Sequence, residues 1–113
     1  MNTIQLIARL TKDPEVRTTS SDSTVCTMRV AVNRTGADGA DYVDVTTFGK
    51  LATACGGYLA KGRRVAITGR LHYSEWTSES GPRSKHEVVA SSVEFLDGPR
   101  SEERTTADGA EPF

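Results

Sequence analysis

Cysteine and histidine are scarce in this chain of 113 residues, which contains two of each. Cys26 and Cys55 lie far apart, without the closely spaced cysteine pairs that mark most zinc sites. His72 and His86 add no metal-ligand spacing. We therefore expect no metal and no cofactor, and we expect both thiols to be reduced and buried like small apolar side chains.

Charge of one sign is not in excess either. Fourteen Lys and Arg against fifteen Asp and Glu give a net charge of −1 at pH 7. This balance excludes a large overall positive charge as the force that attracts a polyanion, so a polyanion would have to meet a local group of cations. Apolar runs stay well short of the roughly 18 residues of a membrane helix. MNTIQLIARL, at residues 1–10, lacks a charged segment followed by an apolar segment and a cleavage site, so we expect no signal peptide. We expect a cytoplasmic protein with no membrane partner.

Catalytic motifs are also lacking. The HEVV segment at His86 is not the HExxH of zinc proteases. The GADGAD segment at residues 36–41 has neither the lysine nor the strand-to-helix context of a phosphate-binding loop. The sequence therefore predicts a protein that is not an enzyme.

Alternation of apolar and polar residues predicts five strands, at residues 3–10, 26–33, 42–48, 64–76 and 86–96. Between the third and fourth strands, LATACGGYLAKG has helical spacing and ends at Gly62, a residue suited to a helix C-cap. SESGPRS, at residues 78–84, predicts a hairpin loop. This order fits an all-β OB-fold, a five-stranded Greek-key barrel with one short helix between strands 3 and 4.

The chain divides by composition into two parts. Residues 1–97 contain all the predicted strands and form one folded domain. Residues 98–113, GPRSEERTTADGAEPF, carry four acids against two arginines and few large apolar residues. We expect this second part to be a short, disordered, acidic tail.

Two strands place aromatic residues outward. In the third, Val43 and Val45 must face the core, so Tyr42 and Phe48 lie on the opposite face. In the fourth, the same alternation predicts Leu71 inward and Trp76 outward, unless a bulge at Gly69 interrupts it.

Outward rings beside cations are what a single-stranded nucleic acid needs, since unpaired bases stack on rings and Lys and Arg neutralise phosphates. Exposed aromatic residues mark protein interfaces equally well. The pattern by itself leaves both functions open.

Three segments resemble the bacterial single-stranded DNA-binding proteins: IARLTKDPEVR at residues 7–17, VDVTTFGKLATACGGYLAKGRRVAITGRL at residues 43–71, and SEWTSESG at residues 74–81. The resemblance covers about residues 2–96. It implies an OB-fold, a homotetramer, association with the nucleoid, and binding of single-stranded DNA without sequence preference in replication, recombination or repair.

The resemblance also assigns residues. Tyr42, Phe48 and Trp76 fall where the family keeps base-stacking aromatic residues. Arg9 and Lys12 lie in the first strand and its turn, and Lys50 follows the Phe-Gly pair. The candidate DNA-binding residues are therefore Tyr42, Phe48, Trp76, Arg9, Lys12, Arg29, Arg34, Lys50 and Arg70.

Departures from the family predict weaker binding than that of a typical member. NRTG at residues 33–36 stands where many members carry a further aromatic residue, and Asp44 and Glu75 bring negative charge near the expected path of the phosphates. These acids favour slightly an alternative, an OB-fold protein-interaction or assembly subunit with weak or no single-strand binding.

The C-terminal end resembles the family's partner-docking tip only in part, which suggests a short paralogue with a reduced tail. Pro112 and Phe113 are the candidate partner-binding residues for replication and repair proteins. Only Asp108 and Glu111 lie near them, so such docking would be weak and easily screened by salt. An inert remnant is the alternative.

Overall fold

The computed structural model describes residues 1–97, which form six strands and one helix. The elements are β1 (Ile4–Leu10), β2 (Glu15–Thr18), β3 (Thr24–Asn33), β4 (Ala40–Phe48), α1 (Gly49–Tyr58), β5 (Arg64–Ser78) and β6 (Gly81–Phe95). The five predicted strands and the helix are present in the predicted order. The predicted helix end at Gly62 is wrong, because α1 ends at Tyr58 and the backbone is already extended at its C-cap, Leu59. β2 is an additional strand that the sequence analysis does not predict. Its four residues are all exposed, so the sequence there lacks the apolar and polar alternation of a half-buried strand.

Strand pairing closes the sheet into a barrel. The strands hydrogen-bond in the order β1-β5-β6-β4-β3-β2, and β1 also pairs with β3. β4 and β6 run parallel, whereas the other pairs are antiparallel. α1 packs against β3 and β4. This arrangement is the small all-β barrel of the OB type that the sequence predicts.

The core is built from modest apolar side chains on the inner faces of the strands. Leu10, Met28 and Ile67 are among its largest fully buried members. Cys26 and Cys55 are free and buried, as predicted. Burial, and then the nearby Cys26 thiol, raises the pKa of Cys55 to about 11, so both act as neutral small side chains.

A β-bulge interrupts the pairing of β5 with β6. Thr68 pairs with Ser92 whereas Gly69 pairs with Ala90, so Ser91 is the extra residue. The sequence locates this irregularity at Gly69, but the extra residue lies on the partner strand. A Cβ atom at Gly69 would stand 2.3 Å from the Val89 carbonyl oxygen, so the two strands approach each other only because the residue is glycine.

Beyond the barrel, β5 and β6 continue as a two-stranded extension, residues 71–78 and 81–88, which we call the arm. Within residues 1–97, the two segments of the arm pair with each other. β4 joins this pairing only at the base of the arm, where Val45 pairs with Val88. The predicted loop at residues 78–84 is wrong, because Ser78 already pairs with Gly81 across a two-residue turn. Leu71 is 44% exposed rather than inward, since β1 ends its pairing with β5 at Gly69.

The described part of the chain contains no helix that is long and apolar enough to cross a membrane.

Replacement of Gly69 by alanine should destabilise the fold by about 1–3 kcal/mol, because the new methyl group meets backbone atoms that side-chain rotation cannot move. Gly57→Ala is the matched control: its Cβ meets no atom within 4 Å, and alanine favours a helix by up to about 1 kcal/mol. Urea unfolding followed by Trp76 fluorescence measures both. Equal free energies of unfolding for the two variants would contradict the role given to Gly69.

Candidate nucleic-acid interface

Strand pairing brings several predicted residues onto one outer surface. Directly paired residues share a face, and Arg29 pairs with Asp44, Ala31 with Tyr42, and Trp76 with Arg83. The parallel pairing of β4 with β6 joins the two halves. The outer sheet face, as we name it, carries Arg29, Tyr42, Asp44, Thr46 and Phe48, then Arg83, Lys85 and Glu87, and finally Arg70, His72 and Trp76.

The three aromatic residues singled out in the sequence are exposed on this face. The exposed fractions are 57% for Tyr42, 52% for Phe48 and 47% for Trp76, which confirms their outward orientation. Tyr42 and Phe48 stand near the two ends of the same strand, about 20 Å apart at 3.3–3.4 Å per residue. Trp76 lies on the arm opposite Arg83. The rings are therefore spread along a surface rather than gathered in one pocket.

Asp44 is the centre of the charges on the outer sheet face. Its Oδ1 accepts a hydrogen bond from Arg29 Nη1 at 3.0 Å, and its Oδ2 lies 3.1 Å from Lys85 Nζ. Burial opposes ionisation of Asp44, but the hydrogen bonds and charges of Lys85 and Arg29 outweigh it and hold the pKa of the carboxyl below its usual value. One carboxylate thus joins β3, β4 and β6.

The same cation contacts a candidate stacking ring. Arg29 Cζ lies 5.5 Å from the centroid of the Tyr42 ring, in the range of a cation–π contact. A base stacked on Tyr42 would therefore lie close to a guanidinium group. Next to this cluster, Thr46 Oγ1 donates a 2.8 Å hydrogen bond to Glu87 Oε1, which places a second acid on the face.

The remaining predicted cations are dispersed. Arg70 is exposed on the outer sheet face, and Lys50 is exposed in the first turn of α1, two residues after Phe48. Arg9 pairs with Ala31, the partner of Tyr42, so by register it lies on the same outer side of the barrel. Three of the predicted cations contact other groups of the protein: Arg9 donates to the Gly62 carbonyl oxygen at 2.7 Å, Lys12 pairs with Glu15 at 3.6 Å, and Arg34 pairs with Asp41 at 3.0 Å.

Sequence reasoning missed Lys85 and misjudged the position of Glu75. Lys85 falls just before the predicted last strand, and extending the alternation of that strand backwards would have found it. Glu75 follows Ser74 and precedes Trp76, but it lies on the opposite face of the arm. There it accepts a 2.6 Å hydrogen bond from the Tyr73 hydroxyl. Glu75 therefore adds no negative charge to the outer sheet face.

The second face of the arm also carries exposed rings. The centroids of Tyr73 and His86 lie 4.7 Å apart, and Tyr73 is 47% exposed. Alternation alone places Tyr73 on the face opposite Trp76, and the arm leaves that face uncovered because it extends past the core. Both faces of the arm therefore present aromatic surface.

The remaining expectations concern metal binding and the C-terminal residues. Residues 1–97 contain no cluster of three or more His, Cys, Asp or Glu side chains that could hold a metal ion. Pro112 and Phe113, together with the whole predicted tail, lie outside the described residues, so their role stays a prediction.

Comparison with known proteins gives consistent similarities. A model of the single-strand binding protein family matches residues 1–96. A single-stranded DNA-binding protein of Caldanaerobacter subterraneus subsp. tengcongensis is 43% identical over 103 residues, which are 86% of this chain and 69% of that protein. Single-stranded DNA-binding protein 1 of Staphylococcus aureus (strain COL) is 40% identical over 103 residues, 86% of this chain and 62% of that protein.

A third relative extends the comparison. The single-stranded DNA-binding protein of Treponema pallidum (strain Nichols) is 36% identical over 102 residues, 85% of this chain and 58% of that protein. The chain thus spans between 58% and 69% of the length of these three relatives.

The ion pairs of Asp44 predict a defined dependence of stability on pH. Because its folded pKa lies below the ordinary value of 3.8, the carboxylate stabilises the fold above that pH, and the contribution is lost as the pH falls through the folded pKa. At pH 7, Asp44→Asn should lower the free energy of unfolding by up to about 1 kcal/mol. Urea unfolding at pH 7 and pH 3 measures this difference. A difference that does not shrink at acid pH would contradict the prediction.

Proposed function

The chain belongs to the single-strand binding protein family, and on that premise we propose that its barrel binds single-stranded DNA without sequence preference along the outer sheet face. The observation that carries the proposal is the exposure of Tyr42, Phe48 and Trp76, each about half accessible, on one face of the sheet. Large rings are normally used to fill a core. Here they remain outside, where unpaired bases can stack on them.

The proposed mechanism is non-covalent. Bases stack on the rings, and cations beside the rings neutralise the phosphates of the same strand. Arg29 supports this arrangement most directly, because its guanidinium lies 5.5 Å from the centroid of the Tyr42 ring and so would lie close to a nucleotide stacked there. Arg70 and Lys50 supply further exposed charge, and Lys85 extends the set. A strand held in this way is protected during replication, recombination or repair.

The alternative is a protein-interaction or assembly subunit that uses its outward aromatic residues against protein, and two acids near the rings favour it slightly. Glu75 lies on the other face of the arm, and the charge of Asp44 is compensated by two cations. Both arguments for a purely protein-binding face therefore lose force. The exposed Tyr73 and His86 on the second face are the remaining observation in favour of a protein contact.

We include a homotetramer in the proposal. A groove of about 400 Å³ lies where the arm leaves the barrel, and it has an apolar part and a charged part. The apolar part is lined by Ile4, Leu6, Val43, Leu71 and Val88, and the rest includes Arg29, Tyr42, Asp44 and Lys85 of the outer sheet face. Exposed apolar surface of this kind is commonly covered by association. A second copy of the chain that covers the apolar part of this groove would bury Leu71 beside the outer sheet face.

Partner docking through Pro112 and Phe113 belongs to the proposal as well, supported only by the resemblance of the terminal residues. Deletion of residues 111–113, followed by pull-down of replication and repair proteins at low salt, tests that part.

Trp76→Ala should weaken binding to oligo-dT by about 1–3 kcal/mol, since one stacking surface is lost, while the fold stays intact because the ring is exposed. Fluorescence anisotropy of labelled oligo-dT measures the affinity. Tyr58→Ala is the matched control: Tyr58 is 58% exposed at the end of α1, its ring lies 5.9 Å from that of Phe95, and its loss should leave affinity unchanged. Equal weakening by both variants, or unfolding by Trp76→Ala, would count against the assignment.

Leu71→Glu should disrupt the proposed assembly, because it places a negative charge among the apolar residues of the groove at the base of the arm. Sedimentation at micromolar concentration should find a homotetramer for the wild-type chain and smaller species for the variant. A wild-type chain that sediments as a monomer of 12.2 kDa would contradict this part of the proposal.

A further inference from the structure

The Asp44 carboxylate already occupies two of the cations that a bound strand would use. Arg29 reaches Oδ1 from β3, and Lys85 reaches Oδ2 from β6. The side chains of Arg29 and Lys85 remain 46% and 39% exposed, whereas that of Asp44 is 26% exposed. Both cations are therefore accessible from solvent, and the less exposed Asp44 carboxylate compensates their charge.

The Asp44 carboxylate lowers the net positive charge that Arg29 and Lys85 offer to a phosphate. Two separate cations would offer two positive charges, but with one carboxylate between them the trio has a net charge of +1. A phosphate that contacts Arg29 or Lys85 must either displace one of the carboxylate contacts or approach a second negative charge. A single strand gains affinity from each cation it neutralises, with a salt dependence of about 0.7 per charge, and compensated cations yield less of this gain.

We propose that Asp44 is a built-in competitor of the DNA phosphates: in the free protein it takes their place on Arg29 and Lys85, and so lowers both the affinity for single strands and its dependence on salt. The inference rests on the proposed function and adds a residue that sets its strength. Because Arg29 also lies over Tyr42, release of Arg29 from Asp44 frees a cation beside a stacking ring. Capture of a phosphate and stacking of its base are then coupled at one place.

The main alternative is that Asp44 positions Arg29 and Lys85 for DNA instead of competing with it. If the carboxylate served chiefly to hold Arg29 and Lys85 in the orientation that DNA needs, its removal would weaken binding. The sign of the change in affinity therefore separates competition from positioning.

The test is Asp44→Asn, measured by anisotropy with labelled oligo-dT across a series of salt concentrations. We expect binding on the order of 10-fold tighter at low salt, because two ion pairs no longer compete. We also expect the slope of log affinity against log salt to steepen by about 0.7 to 1.4, for one or two cations set free. Glu94→Gln is the matched control: it removes the same charge from an exposed position near the opposite end of β6, paired with Ala66. Its slope should stay at the wild-type value.

A double-mutant cycle gives a second reading. Lys85→Gln should reduce the salt slope by less in the wild-type chain than in the Asp44→Asn background, where the ammonium group is no longer compensated. Asp44→Thr, which keeps a residue favoured in strands, replaces Asp44→Asn if the asparagine variant does not fold.

The outcomes are distinct. Weaker binding by Asp44→Asn, an unchanged slope, or a change equal to that of Glu94→Gln would overturn the inference while leaving the proposed function in place. Absence of any salt-dependent oligo-dT binding by the wild-type chain would overturn the proposed function and this inference together.

Discussion

The close approach of β5 to β6 at Gly69 lets one long hairpin serve two purposes. On one side of the bulge, β5 pairs with β1 and closes the barrel; on the other side, the hairpin leaves the barrel as the arm that carries Trp76. A side chain at Gly69 would collide with the Val89 carbonyl oxygen. The position of the arm relative to β4, and with it the continuity of the outer sheet face, depends on this contact.

The division between core and surface follows from the same architecture. The barrel interior is narrow, so it is filled by residues such as Val45, Met28 and Ala52, with α1 packed against it. The large rings of Tyr42 and Trp76 stay outside. Their exposure leaves apolar area uncovered in the free protein, and a ligand that stacks on the rings recovers it. The rings that the barrel core does not contain are therefore the ones that the proposed function uses.

Electrostatics on the outer sheet face is local rather than global. A chain with a net charge of −1 can attract a polyanion only where its cations are gathered, and Arg29 and Lys85 are gathered around Asp44. The carboxylate that assembles this group also compensates it. The ion pairs join three strands, so the same side chain supports the stability of the face and, on the proposal made above, limits its interaction with phosphate.

Sequence alone predicts the order of the main elements and the outward direction of Tyr42, Phe48 and Trp76, because alternation along a strand is a local property of the chain. It places Leu71 wrongly, since inward direction means burial only where a core lies beneath. Tertiary structure alone brings Arg29 and Lys85 together, because the two residues are far apart in sequence. Arg29 contacts Asp44 across the β3–β4 pair. The parallel pairing of β4 with β6 then brings Lys85 to the same carboxylate. Pairing between distant strands is chosen by barrel closure, which no local alternation encodes.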